Sequence, residues 1–335
     1  MKHANVAIFV PHNGCPHQCS FCNQKSITGK LNQPEPIDVV NAVKIAKDSL
    51  KSNTKNAEIA FFGGSFTAIE RNYMISLLSA AYKFVKDGTF SGIRLSTRPD
   101  YIDDEILSLL KKYGVTTIEL GAQSMDDRVL KLNSRGHTAK QVKEASRLIK
   151  SYKFRLGLQM MTGLYGDTLE GSFKTAEKIA ELCPENVRIY PTIIMKGTEL
   201  GDRFLSGEYK TFTLEETVEL CAKLLDFFEE RNITVIRLGL HDSPELKRDM
   251  LSGPWHPAFR ELCESRRFLN KITAYLENNH ISKGNIEITV NPKCVSAVTG
   301  QKKHNLNILS EYGYNAKIIQ DKNIIGNNFA IKEMG

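Results

Sequence analysis

Seven short runs rich in β-branched and aromatic residues recur along the chain, and the intervals between them carry the period of amphipathic helices. The runs are Val6–Val10, Glu58–Phe62, Ile93–Thr97, Thr117–Gly121, Leu156–Met160, Val187–Pro191 and Ile233–Leu238. Helical segments fall at Val39–Leu50, Tyr73–Val85, Asp103–Tyr113, Ala139–Ser151, Ser172–Leu182 and Leu214–Glu230, with Asp103 placed to cap the third. Strands that alternate with helices in this way pair in parallel, because each helix carries the chain back to the same end of the sheet. The expected fold is α/β, a partial (β/α)6 TIM-like barrel with a small C-terminal α+β unit.

That last unit is where the rhythm changes. After about Ser282 the pattern reads as a strand at Ile286–Val290, one helix over Ser296–Tyr312, and a strand pair at Lys317–Ile319 and Phe329–Ile331. The expected division is a core over residues 1–240, a connecting turn and helix over 241–281, and the α+β unit over 282–335. The connection holds the only tryptophan, in Ser252-Gly253-Pro254-Trp255-His256-Pro257.

In a barrel of parallel strands, reactive groups collect on the loops that follow the carboxyl ends of the strands, since those loops converge on one mouth. The unusual residues of this chain fall there. Cys15, Cys19 and Cys22 follow the first strand, Gly63-Gly64-Ser65 the second, Ser96-Thr97-Arg98 end the third, Gly121-Ala122-Gln123-Ser124 the fourth, and Gly163-Leu164 the fifth. Cys15-x3-Cys19-x2-Cys22 puts three thiolates on one loop, as iron–sulfur clusters require, and three ligands leave one iron open. A structural zinc completed by His12 or His17 is the competing reading, because zinc spacings overlap this one. The other cysteines, Cys183, Cys221, Cys263 and Cys294, are scattered singly and read as small buried hydrophobes, with no second cluster expected. Seven cysteines without a paired framework also point to a reducing compartment.

With these motifs the sequence resembles the radical S-adenosylmethionine superfamily, whose signature is three cysteines at this spacing with an aromatic residue before the last, here Phe21. The resemblance covers about Val6 to Leu240. Within the superfamily, Phe62-Gly63-Gly64-Ser65-Phe66-Thr67 and Glu119-Leu120-Gly121-Ala122-Gln123-Ser124 look most like the Elongator catalytic subunit and the oxygen-independent coproporphyrinogen oxidases. It implies a [4Fe-4S] cluster on the three cysteines and S-adenosylmethionine at Gly63, Gly64 and Ser65, with Gly63-Gly64 meeting the amino group of its methionine part. It further implies contacts from Gln123 and from Arg135, the latter to the carboxylate. At Ser96 and Gln159 the chain departs from the family, which carries carboxylates there, so the ribose contacts of these two positions differ in chemistry.

What remains is the substrate. Neither Gly-x4-Gly-Lys-Ser/Thr nor Gly-x-Gly-x2-Gly accompanies the Gly-Gly element, which argues against a nucleotide-hydrolysing enzyme. About sixty residues follow the helix expected at Ala258–Glu277, short of a ~100-residue domain, so the acetyltransferase part of the Elongator subunit is not expected. Short enzymes with these motifs resemble the clostridial queuine lyases, which convert queuine to the deazaguanine base preQ1. The implied partners are a small 7-deazaguanine base and an external one-electron donor. The alternative is an enzyme that modifies tRNA, gripping it through Gly300-Gln301-Lys302-Lys303, a loop similar to the single-stranded RNA-binding KH loop but with Lys303 where glycine belongs. The excess of 45 Lys+Arg over 38 Asp+Glu, +7, falls short of the basic stripe of a dedicated nucleic-acid binder. His241-Asp242, just after the last strand of the core, are the candidate catalytic pair, and Trp255-His256 a candidate substrate wall. No apolar run approaches the ~18 residues of a membrane span, and Val6–Val10 is too short for a signal peptide, so a cytoplasmic protein without a membrane partner is expected.

Overall fold

The computed structural model describes residues 4–11, 18–23 and 32–334. Cys15, His12 and His17 lie outside the described residues. The chain divides into two compact units, one of residues 1–213 and 228–255, the other of 214–227 and 256–335.

The first unit is built on seven parallel strands: β1 (Ala4–Val10), β2 (Ala57–Gly63), β3 (Gly92–Thr97), β4 (Val115–Gln123), β5 (Arg155–Thr162), β6 (Asn186–Pro191) and, after the short β7 (Ile194–Met195), β8 (Thr234–Leu238). They pair in chain order, β1-β2-β3-β4-β5-β6-β8, as the sequence predicts. Between them run α1 (Pro36–Leu50), α2 (Arg71–Lys86), α3 (Asp104–Lys112), α4 (Asp127–Leu132), α5 (Ala139–Ser151), α6 (Leu169–Ala180) and α7 (Glu199–Leu205). Polar residues start these helices: Asp103 accepts from the N–H of Ile106, Thr138 forms a capping box with Gln141, and Thr168 accepts from Gly171. One face of the sheet is apolar and fully buried, through Ile59, Phe61, Ile93, Leu95, Ile118 and Leu120.

The opposite face shows that the sheet is curled. β2 and β6 are four strands apart, about 19 Å in a flat sheet. Yet the guanidinium of Arg188 on β6 lies 4.9 Å from the ring of Phe62 on β2. Arg155 on β5 likewise donates to Glu58 on β2 at 2.6 Å. Only a sheet wrapped into a partial barrel brings these side chains together, and sequential pairing without reversal produces that wrap. At the amino-terminal end of the lumen Glu58, with no exposed surface, also accepts from Arg94 Nε at 2.9 Å and from Thr116 and Thr117 at 2.6 and 2.8 Å.

A two-stranded antiparallel ribbon, β7 with β9 (Met250–Ser252), is an element the sequence reading does not include, being too short for a periodic signal. The turn-rich passage after it packs Trp255 against Ile193, Met195 and Leu246, with Lys247 over the indole ring at 5.4 Å.

In the second unit α10 (Phe259–Asn278) and a three-stranded sheet share an apolar core of Phe268, Ile272, Ile286, Ile288 and Val298; the numbering passes over α8 (Leu214–Glu229) and α9 (Pro244–Asp249). Residues 214–227 of α8 belong here because Arg267 of α10 donates to Asp226 at 2.6 Å and Arg266 to Glu219 at 3.3 Å. The two units thus meet in sequence at 213/214, 227/228 and 255/256. The helix expected over Ser296–Tyr312 is broken into α11 (Val295–Thr299) and α12 (His304–Glu311). Gly300 turns the chain with φ +75°, and a Cβ there would lie 3.0 Å from the Asn305 nitrogen and 3.1 Å from Ser265 Oγ. Asn305, almost wholly buried, fixes the break by donating to the carbonyls of Ser265, Ala297 and Val298. The two last strands, β11 (Tyr314–Gln320) and β12 (Phe329–Glu333), do not pair with each other as expected but flank β10 (Gly284–Val290), one parallel and one antiparallel. Among the described residues no helix is long and apolar enough to cross a membrane.

Glu58→Ala is expected to destabilise the first unit by about 3 kcal/mol, since it takes from the buried Arg94 one of its two carboxylates, Glu119 keeping the other, and removes the acceptor of Thr116, Thr117 and Arg155. The denaturant midpoint of the purified variant measures this, and a loss below about 1 kcal/mol would show that the lumen charges are independent of one another.

Candidate cofactor site at the strand ends

The upper lumen is organised around Glu119, which points inward from the middle of β4. Its Oε1 accepts from Arg94 Nη1 at 2.7 Å and Arg188 Nη2 at 3.0 Å, and its Oε2 from Arg188 Nε at 2.6 Å and Gln159 Nε2 at 3.0 Å. Burial pushes the carboxyl up, but Arg188 and Arg94 outweigh it and hold the group below the ordinary range, so it stays ionised. Above Glu119 the strand presents Gly121, where a Cβ would meet Arg135 Nη2 at 2.7 Å and Gln123 Nε2 at 2.9 Å. The missing side chain is what lets both groups enter. Gln123 follows a register shift in the β4–β5 ladder and has φ +64°, a left-handed conformation that costs a glutamine about 1 kcal/mol or more.

The cysteine loop reaches this place through Asn133, a residue with no exposed surface. Ser20 donates its N–H to Asn133 O at 3.1 Å and its hydroxyl to Asn133 Oδ1 at 2.9 Å, while Asn133 Nδ2 donates to the carbonyls of Val129 and Tyr165. Leu200 N–H in turn donates to Ser20 O at 2.8 Å. Cys19 is buried, Cys22 is half-buried with its N–H on Cys19 O at 3.0 Å, and Phe21 packs against Ile194, Leu200 and Tyr209. Arg135 lies two residues beyond Asn133 and donates to Cys19 Sγ at 3.4 Å and to Gly121 O at 2.7 Å.

The remaining sites expected from sequence distribute as follows. Gly63 ends β2 with φ +116°, and a Cβ there would lie 2.7 Å from Val10 O, so no other residue fits; Gly64 N–H donates to the same oxygen. Ser65, buried, spends its hydroxyl on Thr97 Oγ1 at 2.8 Å and on the N–H of Arg98 at 3.2 Å, bracing the loop after β2 against β3. Ser96 stands in register with Glu119, and Gln159 keeps its amide oxygen as an acceptor beside it. His241 lies at the surface with its pKa lowered by partial burial and then by Arg237 and Arg188. Asp242 is tied to Lys247 at 2.8 Å, away from the Glu119 group. His256 accepts the N–H of Ala258 through Nδ1, the bond of a turn residue. Of the scattered cysteines, Cys221, Cys263 and Cys294 are buried, whereas Cys183 is exposed, because it ends a turn with φ +48°.

Glu119, Arg188, Asn133 and His137 were absent from the sequence candidates. Charges recurring on one face of otherwise apolar strands are the signal for the first two. For Asn133 and His137, in a loop, no periodic signal exists.

Two observations test whether a ligand belongs here. Gln123 Oε1 and Arg135 Nε are both buried and have no hydrogen-bond partner. One is an acceptor and the other a charged donor; both side chains crowd over Gly121, and Arg135 also touches Cys19. A zwitterionic amino acid carried on a cluster supplies what each lacks. Among the described residues no three His, Cys, Asp or Glu side chains converge by themselves.

His137 donates through Nε2 to Ala122 O at 3.2 Å, and its Nδ1 is buried and unpartnered. Burial, then Arg135 and Arg98, lower its pKa from 6.5 to about 3. The folded chain cannot take the proton that the unfolded chain takes near its ordinary pKa, so stability falls as pH drops. The loss from this residue is about 2 kcal/mol between pH 7 and pH 5. Denaturant midpoints of His137→Gln are expected to lack that part of the slope, and an unchanged slope would show that His137 charges freely.

A family model described as the Radical SAM superfamily matches residues 9–179, half of the chain, and one described as the Radical_SAM C-terminal domain matches residues 184–270. The tRNA uridine(34) acetyltransferase of Methanocaldococcus jannaschii is 28% identical over 256 residues, 65% of this chain and 47% of that protein. Elongator complex protein 3 of Homo sapiens is 33% identical over 196 residues, 52% of this chain and 36% of that protein. The chain thus spans about half, or less, of the length of these curated relatives. In fold it is similar to the archaeal Methanocaldococcus infernus Elp3, with a TM-score of 0.63 at 22% identity over 83% of this chain and 63% of that one. The cysteine loop on its Asn133 anchor, the curled parallel sheet and the family match agree, and the chain belongs to the radical S-adenosylmethionine superfamily, enzymes that use a [4Fe-4S] cluster and S-adenosylmethionine.

Proposed function

We propose that this enzyme acts on a 7-deazaguanine base as a lyase of queuine salvage, releasing the cyclopentenediol of queuine to leave preQ1. When bound, the reduced cluster supplies the electron that divides S-adenosylmethionine into methionine and a 5′-deoxyadenosyl radical. Cys15, Cys19 and Cys22 would hold the cluster, and Gly63, Gly64, Gln123 and Arg135 the cofactor. The protein's own part is to orient the base and keep water away. The observation that carries the reading is the lumen wall beyond the cofactor groups. There Arg188 lies over Phe62 and is fastened to Glu119, Tyr190 and Arg237 stand on the paired strands β6 and β8, and Gln159 keeps an acceptor oxygen. Such a wall combines a flat surface for a planar ring with donors and an acceptor for the edge of a guanine-like base. Hydrogen abstraction on the cyclopentenediol side followed by carbon–nitrogen cleavage is the chemistry required.

A cytoplasmic location suits this reading, since a thiolate-held cluster needs a reducing compartment and an external one-electron donor. The second reading is tRNA modification, which the names of the relatives favour. Lys302 and Lys303 support it, both exposed and both in left-handed conformation on the loop between α11 and α12.

After anaerobic reconstitution the chain is expected to carry iron and sulfide, to form 5′-deoxyadenosine on reduction, and to convert free queuine to preQ1. Formation of 5′-deoxyadenosine without preQ1 would count against the lyase. Steeply salt-dependent tRNA binding, abolished by neutralising Lys302 and Lys303, would favour the second reading instead. Cys19→Ala is expected to lose both cluster and cofactor cleavage. His241→Ala should keep the cluster while lowering turnover by about 10²-fold, the scale of a lost acid–base group; full turnover in that variant would remove His241 from the chemistry.

A further inference from the structure

We propose that Arg135 has a role besides holding the cofactor: its guanidinium hydrogen-bonds the thiolate of Cys19 and raises the reduction potential of the cluster bound there. This inference rests on the radical S-adenosylmethionine reading of the site. The three edges of the guanidinium are differently engaged. Nη1 donates to Cys19 Sγ at 3.4 Å, Nη2 donates to Gly121 O at 2.7 Å, and Nε has no partner. One side chain therefore has a sulfur contact, a backbone contact that fixes its plane, and one donor left for the incoming carboxylate.

The contact is not a chance meeting of surface groups. Arg135 is 8% exposed and Cys19 7%. Each is fastened to the same buried residue, Cys19 through its neighbour Ser20, which makes two hydrogen bonds to Asn133, and Arg135 through the tight loop that follows Asn133. In that loop Ser134 and Gly136 have φ of +52° and +74°, and Arg135 N–H closes it on Leu130 O at 3.0 Å. The distance between guanidinium and sulfur is set by the backbone on both sides. Among the described residues His137, which is held neutral, does not substitute for this charge, and Arg98 is committed to Asp100 through Nε and Nη2.

Reduction adds one electron from an external one-electron donor to the cluster, taking it from +2 to +1, with no bond formed or broken. The added negative charge spreads onto the sulfur ligands. A cation in hydrogen-bond contact with one of them, in a site closed to water, stabilises the reduced state more than the oxidised one. Hydrogen bonds to cluster sulfurs are among the levers that set such potentials. Arg135 is thus a positioning and tuning residue, and its effect is present before S-adenosylmethionine binds.

The test is a redox titration of the whole reconstituted chain without S-adenosylmethionine, followed by electron paramagnetic resonance of the +1 cluster. Arg135→Gln is expected to make reduction about tenfold less favourable, a shift of ~59 mV to lower potential for one electron. Arg135→Lys, which keeps the charge but cannot hold both Cys19 and Gly121, should fall between it and the unaltered chain. In the unaltered chain exchanged into D2O, the terminal iron–sulfur stretching bands should shift in resonance Raman. An Arg135→Gln protein with a full cluster and an unchanged potential would overturn the proposal. Should that variant fail to load a cluster, Raman bands of the unaltered chain that ignore D2O would overturn it instead. A chain that takes up no iron defeats the radical reading itself, an outcome distinct from a loaded cluster with an unmoved potential.

Discussion

Glu119 gathers donors from β3, β5 and β6 onto one carboxylate, and that convergence is what turns a run of parallel strands into a working lumen. Arg94 and Gln159 reach the carboxylate from the two adjoining strands, and Arg188, which also lies over Phe62 of β2 across the curl of the sheet, reaches it from β6. The cost of burying these charges is offset only if every member stays in place, which fixes the lumen wall as a rigid surface. Gly121 stands two residues along the same strand and leaves the space through which Gln123 and Arg135 enter. The site is thus built on strands, with its supporting charges immediately beneath it.

The cysteine loop has the opposite character. Among the described residues it is held by Leu200 N–H on Ser20 O and by Asn133, whose amide oxygen and nitrogen are both engaged. Because Arg135 follows two residues later, the position of the sulfur ligands and that of the cation beside them are coupled through the same turn.

Much of this was legible in the residues. The seven strands of the main sheet and their parallel order follow from period and length, and Cys19, Cys22, Gly63, Gly121 and Gln123 fall at strand ends, where parallel barrels keep their chemistry. What escaped did so for local reasons. Ser296–Tyr312 has helical composition throughout, and only the left-handed turn at Gly300, fixed by Asn305, divides it. The end strands Tyr314–Gln320 and Phe329–Glu333 both pair with β10, since pairing partners are set by tertiary contacts and not by adjacency. The bracing of Thr97 and Arg98 by the Ser65 hydroxyl was not legible either, since a motif gives residue identity but not the direction of a side chain. Asp242 was chosen for its position after β8, and a lysine five residues on takes up its charge.

Among the described residues β1 and β8 each have only one neighbour in the main sheet, so its two edges do not meet. Unlike a closed barrel, a wall with two separate edges carries no continuous ring of ladder bonds, so a strand at either margin can shift without breaking the ladder on the far side.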